Sequence, residues 1–432
     1  MLLVFYWLGS ISFFRHDDWI MLGNAISFLP KDWSFLWESR LYFSPTHLDV
    51  WFFRPLFKAS IWTGFQLFGM NHTYWVLFQF LSWLIAIGWG ALAFKNLDSS
   101  NGRAYWFTCL ALCNVSAYFA SVVWVGEGMM NIPQVVLLSA ALFCFLKATP
   151  MSFLVSVGCY LISLGYKESS VFFPLLLFGV DYYKNRLSSQ KLKLSIFFGV
   201  MGCYLIWRLG FVPINPGYQP QVSWSFLFKP FIFFLLFLSI PAAALVFSGL
   251  RFSRGFSRPS HKIIPLLLFL LLLVLPHLGH PFFSPGWLLL PGFFSIWVLV
   301  FLVEPSLFKS VSLVRTGILC GVISVIPVVW QCHQIRWLEW SQSQKAIHAY
   351  IKDFSDPTIT RIEIESCPAP HQEHITFERV VGASENMEHL WLLYHSTPMK
   401  FVFISCSKEK QNPAPPKGTA KILWKFPDVQ FF

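Results

Sequence analysis

Long apolar runs recur along the first three quarters of the chain, each close to the roughly 20 residues that an α-helix needs to cross a bilayer. Helices are predicted for them because a lipid-exposed backbone must satisfy its own hydrogen bonds, and the alternating pattern of a membrane barrel is absent. The pattern therefore predicts an all-α polytopic membrane domain over residues 1–330. About 11 runs occur, centred near residues 1–14, 73–94, 104–125, 130–147, 151–166, 169–183, 194–210, 226–250, 263–278, 286–304 and 312–330.

The pattern changes after residue 330. Short alternating runs at Arg361–Ile364 and Phe401–Ile404 predict strands, and Leu338–Phe354 predicts a helix before them. We therefore predict a small α+β domain over residues 331–432.

The composition fits this reading: 55% of the residues are hydrophobic, 12% are charged and the mean hydropathy is +0.56, which excludes an ordinary soluble domain. The formal charge of +11 comes from the membrane part, which has 21 basic and 10 acidic residues before position 331, against 11 and 11 after it. Membrane topology and attraction to anionic headgroups explain this excess, so no nucleic-acid partner is predicted.

The basic residues between the spans predict the orientation. Opposite the basic side, the short loops and helix ends hold only Lys167, Arg208 and Lys229. The basic side is therefore predicted to be cytoplasmic, and the odd number of spans places the tail domain outside. The basic side holds Lys95, Arg103, Lys147, Lys184, Arg186, Lys191, Lys193, Arg251, Arg254, Arg258, Lys262, Lys309 and Arg315.

Three of the nine cysteines, Cys332, Cys367 and Cys406, fall in the predicted outer tail. A Cys367–Cys406 disulfide is possible in an oxidising compartment, with one cysteine left over.

The predicted first outer loop, residues 15–72, alternates aromatic and charged residues. Such a segment is typical of the membrane interface, with interfacial helices whose aromatic faces lie among the headgroups. Leu56–Phe68, after Pro55 at a first helical position, is predicted as one such short amphipathic helix. The plainer alternative is an interfacial belt with snorkelling cations.

Three motifs occur in order: HDDW at 16–19, SPTHLDVWFFRPLFKASIWTGFQLFGMNHTYWVLFQF at 44–80, and GYKESSVFFPLLL at 165–177. They resemble GT-C polytopic membrane glycosyltransferases, closest to bacterial relatives of protein O-mannosyltransferases, including the TMTC-like proteins with FRPL, FG-x-N and KE-x-x-x-x-x-P signatures. The resemblance covers residues 13–180 well and the later spans loosely. The segment GHPFFSPGWLLLPGF at 279–293 lacks the arginine that those relatives often carry there, and the tail shows no tetratricopeptide period.

This resemblance implies a polyprenyl-phosphate-linked sugar donor, a location in a bacterial inner membrane, transfer on the outer face and an acidic residue of the first outer loop at the reaction centre. Asp17 matches the first acid of the family's acidic pair and is the predicted catalytic carboxylate, with Asp18 beside it. The reaction needs a carboxylate for the acceptor hydroxyl and cations for the departing phosphate. The two acids would repel each other unless Arg15, Lys167 or a divalent ion compensates. The plain alternative for Asp18 is a helix N-cap before Trp19.

Three cations on the predicted outer side are candidates for binding the donor phosphate: Arg54, Lys167 and Arg208. A planar guanidinium suits phosphate bidentately, although Arg54 and Arg208 could also be interfacial anchors. Lys167 and Glu168 are a couple able to form an ion pair between two apolar runs, with a structural pair as the alternative. Glu127 is predicted in a tight Gly-Glu-Gly turn, where it could contact sugar hydroxyls. Supporting contacts are predicted from Glu168, His16, Glu127 and His280.

No cofactor is predicted. His277 and His280 have no carboxylate at matching spacing, so a divalent metal is possible but unsupported. Phosphate loops and dinucleotide fingerprints are absent, which favours a lipid-carried donor over a nucleotide sugar. The expected partners are that donor and a protein, lipid or glycan acceptor. The rival hypothesis is a transporter or flippase of a lipid-linked saccharide, and a polysaccharide polymerase or ligase ranks third.

Overall fold

The fold is mostly helical, with a small sheet near the C-terminus. A computed structural model describes residues 1–14, 18–19, 21–23, 33–37, 54–97, 101–147, 149–211, 240–245, 260–274, 289–303, 312–334, 337–366, 387–388, 390–391, 394–395, 399–405, 418–425 and 428–431. The helices are α1 (Leu2–Ile11), α2 (Pro55–Phe68), α3 (His72–Leu97), α4 (Gly102–Cys113), α5 (Val115–Val123), α6 (Val125–Lys147), α7 (Pro150–Leu164), α8 (Phe173–Tyr183), α9 (Leu187–Phe211), α10 (Ile264–Val274), α11 (Leu289–Leu302), α12 (Leu313–Gln334) and α13 (Trp337–Asp353). The strands are β1 (Arg361–Ser366), β2 (Lys400–Ser405), β3 (Thr419–Lys425) and β4 (Asp428–Phe431).

Several of these helices fit a membrane. By length and composition, four described helices can cross a bilayer: α3, α6, α9 and the Leu313–Trp330 part of α12. The pair α4 and α5 makes a fifth if its 57° bend lies within one span. The chain is therefore a helical protein with several apolar helices suited to a membrane, whereas the number of 11 spans stays a prediction. Most of the predicted span at 226–250 lies outside the described residues.

The bend between α4 and α5 is supported by a side chain of α12. Ser324 Oγ donates to the carbonyl oxygen of Cys113 at 2.7 Å and accepts from the N–H of Val115 at 3.0 Å, on the two sides of Asn114. A broken helix in an apolar setting needs new partners for the freed backbone groups, and Ser324 provides them. The bend lets α5 lead directly into the start of α6.

Helix α6 is the most buried of the long apolar helices and packs against α3 and α7. A Cβ atom at Gly128 would overlap the side chain of Gln79 and the carbonyl oxygen of Ser121, so glycine permits this close approach. Gln79 Nε2 donates to the carbonyl oxygen of Val125 at 2.9 Å. The first turn of α6 is thus held firmly by α3.

The helix predicted after Pro55 is present as α2, with Pro55 in its first turn and Lys58 among its buried residues, whereas its place at a membrane interface stays a prediction. Earlier in the chain, Trp33–Trp37 forms a short 3-10 helix in which Trp33 and Trp37 are largely exposed. The residues from 38 to 53 lie outside the described part of the chain.

The sheet has the strand order β2-β1-β3-β4, in which β1 pairs in parallel with β2 and β3, and β4 is antiparallel to β3. Strands therefore lie where the alternating runs at Arg361–Ile364 and Phe401–Ile404 predict them, and α13 lies where a helix is predicted before them. An independent α+β domain over residues 331–432 stays a prediction. Cys367 and Cys406 lie outside the described residues.

Candidate functional site

A cluster of charged and polar side chains forms where the starts of α2 and α6 meet the connection between α7 and α8. In that connection a 3-10 helix spans Glu168–Phe172. The backbone N–H of Leu56 donates to the carbonyl oxygen of Gly165 at 3.1 Å, which fixes the start of α2 against the end of α7. Arg54, directly before α2, is thereby brought to Lys167 and Glu168.

Arg54 and Glu168 form an ion pair in this cluster. Arg54 Nη2 and Nε donate to Glu168 Oε2 at 2.7 and 3.1 Å, and Nη1 lies 3.1 Å from the sulfur of Met130. Burial would raise the pKa of Glu168, but the Arg54 guanidinium outweighs that effect and the pKa is lowered. Glu168 therefore remains a carboxylate, held by a largely buried cation.

The second oxygen of Glu168, Oε1, is buried and has no hydrogen-bond partner within the described part of the chain. The charge of Lys167 interacts with that of Glu168, but the hydrogen bonds to Oε2 come from Arg54. The backbone is extended at Lys167 and enters the 3-10 helix at Glu168.

Lys167 instead begins a relay of hydrogen bonds into α6. Its Nζ donates to Asn131 Oδ1 at 2.9 Å, and Asn131 Nδ2 donates to Glu127 Oε2 at 2.8 Å. All three side chains are buried. Burial lowers the pKa of Lys167 to about 8, with Glu127 acting in the opposite direction and Arg54 adding to the lowering. Lys167 is thus a cation near neutral pH that loses its proton unusually early.

Helix α6 supplies this relay from one face. Glu127, Asn131 and Gln134 recur at helical spacing, and Gln134 Nε2 donates to the carbonyl oxygen of Lys167 at 3.1 Å and to Ser170 Oγ at 2.7 Å. Sequence reasoning missed Asn131 and Gln134. Their spacing from Glu127, in an otherwise apolar helix, was the available signal.

The predicted tight turn at Glu127 is wrong, because Glu127 lies in the first turn of α6. The N–H of Gly128 donates to the carbonyl oxygen of Trp124 at 2.8 Å, so Glu127 lies inside the first hydrogen-bonded turn of the helix. An acidic side chain is favoured in a first turn by the helix dipole.

Asp18 contacts the same helix start. Its Oδ1 accepts a hydrogen bond from the N–H of Gly126 at 2.7 Å, and the residue is 1% exposed. Asp18 thus caps α6 across 108 residues of sequence. A Cβ atom at Gly126 would lie 2.9 Å from that oxygen and still closer to Met21, so glycine is needed for the contact.

Arg208 lies in the last turn of α9, and its positive charge contributes to the low pKa of Glu168. The positive charges of the three predicted cations, Arg54, Lys167 and Arg208, therefore all interact electrostatically with Glu168. Asp17, His16 and His280 lie outside the described residues. Among the described residues, no group of three His, Cys, Asp or Glu side chains is arranged to hold a metal ion.

An apolar cleft of about 550 Å³ runs between α7 and α9. Leu161 and Leu164 line it from α7, and Val200, Cys203 and Tyr204 from α9. Arg208 follows Tyr204 by one helical turn, so one end of this cleft lies near the charged cluster.

The cluster can bind an anionic group and hydrogen-bond a polar ligand, and the cleft suits an apolar chain. No family model, curated protein or solved structure matches this chain.

Proposed function

We propose that the chain is a membrane glycosyltransferase that moves a sugar from a polyprenyl phosphate to an acceptor hydroxyl on the extracytoplasmic face. The observation that carries this proposal is the cluster of Arg54 and Lys167 near an apolar cleft, with the charge of Arg208 acting on the same Glu168. A polyprenyl-phosphate donor has both features, an anionic phosphate and a long apolar chain. The acceptor is a protein, lipid or glycan hydroxyl.

In the proposed reaction the donor phosphate lies against the three cations and its prenyl chain lies in the cleft between α7 and α9. Asp17 orients the acceptor hydroxyl or takes its proton, and the hydroxyl oxygen attacks the anomeric carbon with inversion. The bond from that carbon to the phosphate oxygen breaks, and the lipid phosphate leaves with the bonding electrons. Cations already in place stabilise its growing negative charge. Glu127, His16 and His280 are proposed contacts for sugar hydroxyls.

A transporter or flippase of a lipid-linked saccharide is the second candidate. One observation favours it: the break between α4 and α5 is a feature of many transporters. However, the freed backbone groups beside Asn114 already bind Ser324, which leaves them engaged within the protein rather than with a ligand. A flippase would use the cations without needing a catalytic acid.

Purified protein in vesicles with a polyprenyl phosphate labelled in its sugar distinguishes the two functions. For a glycosyltransferase we expect the label to leave the lipid and appear in an acceptor present on the outer side. Intact donor that only changes leaflet would favour the flippase instead. Protein-free vesicles provide the background for both measurements.

The pH dependence of transfer provides a separate test of Lys167. We expect activity to fall as the pH rises through about 8, because the Lys167 ammonium then loses the charge that holds phosphate. The folded pKa lies below the ordinary value, so the buried charge costs stability below about 8, and this cost disappears as the pH rises towards 10.5. Contributions of Lys167 to stability and to activity therefore change in opposite directions.

A pH–rate profile measured together with melting temperatures checks this expectation. The Lys167→Arg variant keeps its charge throughout, so any activity it retains should lack the alkaline decline. A native profile that stays flat through that range would remove Lys167 from phosphate binding.

A further inference from the structure

The first helix after the membrane part, α13, contacts the segment that carries the acidic pair. Trp19 Nε1 donates to Gln344 Oε1 at 3.0 Å, and both residues are buried. The Trp19 ring also stacks on His348, with 6.0 Å between ring centroids and 13° between planes. Two residues of α13, one helical turn apart, therefore hold one indole ring.

Further contacts fasten α13 to the end of α1. Lys345 Nζ donates to the carbonyl oxygen of Ser10 at 2.8 Å and lies over the ring of Phe13. His348 Nε2 is 2.5 Å from the hydroxyl oxygen of Tyr394. Burial, with a smaller effect from Lys352, lowers the pKa of His348 to about 4, so the imidazole is neutral at neutral pH and suits an aromatic cluster.

Asp18 and Trp19 are consecutive residues held by two different elements. The Asp18 carboxylate binds the start of α6, and the Trp19 indole binds α13. Because one peptide unit links the two residues, a shift of Trp19 would also move the Asp18 carboxylate. Asp17 directly precedes this pair in the sequence.

A buried glutamine at position 344 lowers the stability of the fold, so its presence suggests that the direction of the Trp19 N–H is important. Gln344 Nε2 is buried and, among the described residues, has no hydrogen-bond partner. An apolar side chain of the same volume would fill the space without an unsatisfied donor. Unlike an apolar side chain, the glutamine accepts a hydrogen bond and thereby fixes the direction of the Trp19 N–H.

We propose that Gln344, assisted by His348, is a positioning residue that fixes the acidic segment at the start of α6 through Trp19. The tail thereby contributes to the reaction centre without contacting the substrate. The catalytic part of this inference rests on the proposed glycosyl transfer. The positional part does not, because it concerns only the contacts that hold Asp18 and Trp19.

The test compares Gln344→Met with Gln342→Met. Methionine at 344 keeps the volume and removes the acceptor, whereas Gln342 is an exposed glutamine of the same helix. Hydrogen exchange in peptides covering residues 13–23 should be faster by about fivefold in Gln344→Met, the effect expected for one lost buried hydrogen bond, and unchanged in Gln342→Met. Transfer should show a kcat about tenfold lower with an unchanged KM for the donor, because the phosphate-binding cations lie elsewhere.

Gln344→Glu keeps an acceptor oxygen and should restore both exchange protection and kcat. If Gln344→Met does not fold, Trp19→Phe removes the same hydrogen bond while keeping an aromatic ring, and the same two readouts apply. Equal exchange in the 342 and 344 variants would overturn the proposal. Altered exchange without any detectable transfer in the native protein would leave the positioning correct and refute the proposed function.

Discussion

Asp17→Asn is expected to lower sugar transfer by about 10³-fold, the effect of removing a general base, whereas Asp18→Asn should cost less than about tenfold. The difference comes from the contact made by Asp18. Its Oδ1 accepts the Gly126 N–H at the start of α6, and an asparagine oxygen caps a helix about as well as a carboxylate. Asp18 therefore has a capping role that asparagine preserves, and we propose Asp17 for the proton transfer.

The measurement is the transfer rate from labelled polyprenyl-phosphate sugar in vesicles, with donor binding and melting temperature recorded for each variant. Both variants should fold and bind donor as the native protein does, since neither changes a cation. Retained turnover in Asp17→Asn, with Asp18 intact, would remove the assignment. A large loss in Asp18→Asn alone would move the catalytic role to Asp18.

Arg54→Ala is expected to lower transfer by about 10² to 10³-fold and also to destabilise the protein by about 3–5 kcal/mol. The first effect is the loss of a guanidinium that binds the donor phosphate. The second follows because Glu168 Oε2, which accepts both bonds from Arg54, would be left as a carboxylate without its counterion. Thermal melting and the transfer assay measure the two effects separately.

A double variant separates binding from stability at this site. In Arg54→Ala with Glu168→Gln no lone charge remains, so melting should return towards the native value while transfer stays low. Recovery of transfer together with stability would show that Arg54 acts only as a structural partner.

Arg103→Ala is the matched control, because Arg103 is also a buried arginine but binds the carbonyl oxygen of Val303 at 2.8 Å instead of the cluster. It should lower stability and leave transfer per folded molecule unchanged.

Much of the local structure could be predicted from the sequence. Pro55 before an amphipathic run predicts α2, which begins at that proline. The change from continuous apolar runs to alternating ones predicts β1 and β2, and Leu338–Phe354 predicts α13 within one residue at each end. These features are encoded in hydropathy and periodicity over windows of roughly 5 to 20 residues, so one stretch of sequence suffices to predict them.

The contacts of the candidate site depended on the tertiary structure. Arg54 reaches Glu168 across 114 residues because α2 docks on the end of α7, and Lys167 donates to Asn131 of α6. Asp18 caps a helix that begins far along the chain, and Gln344 reaches back to Trp19. Composition and motif order alone determined that this chain is apolar, helical and equipped with acids and cations. Which acid meets which cation was decided by helix packing, because charges separated by many residues meet only where the packed backbones bring them together.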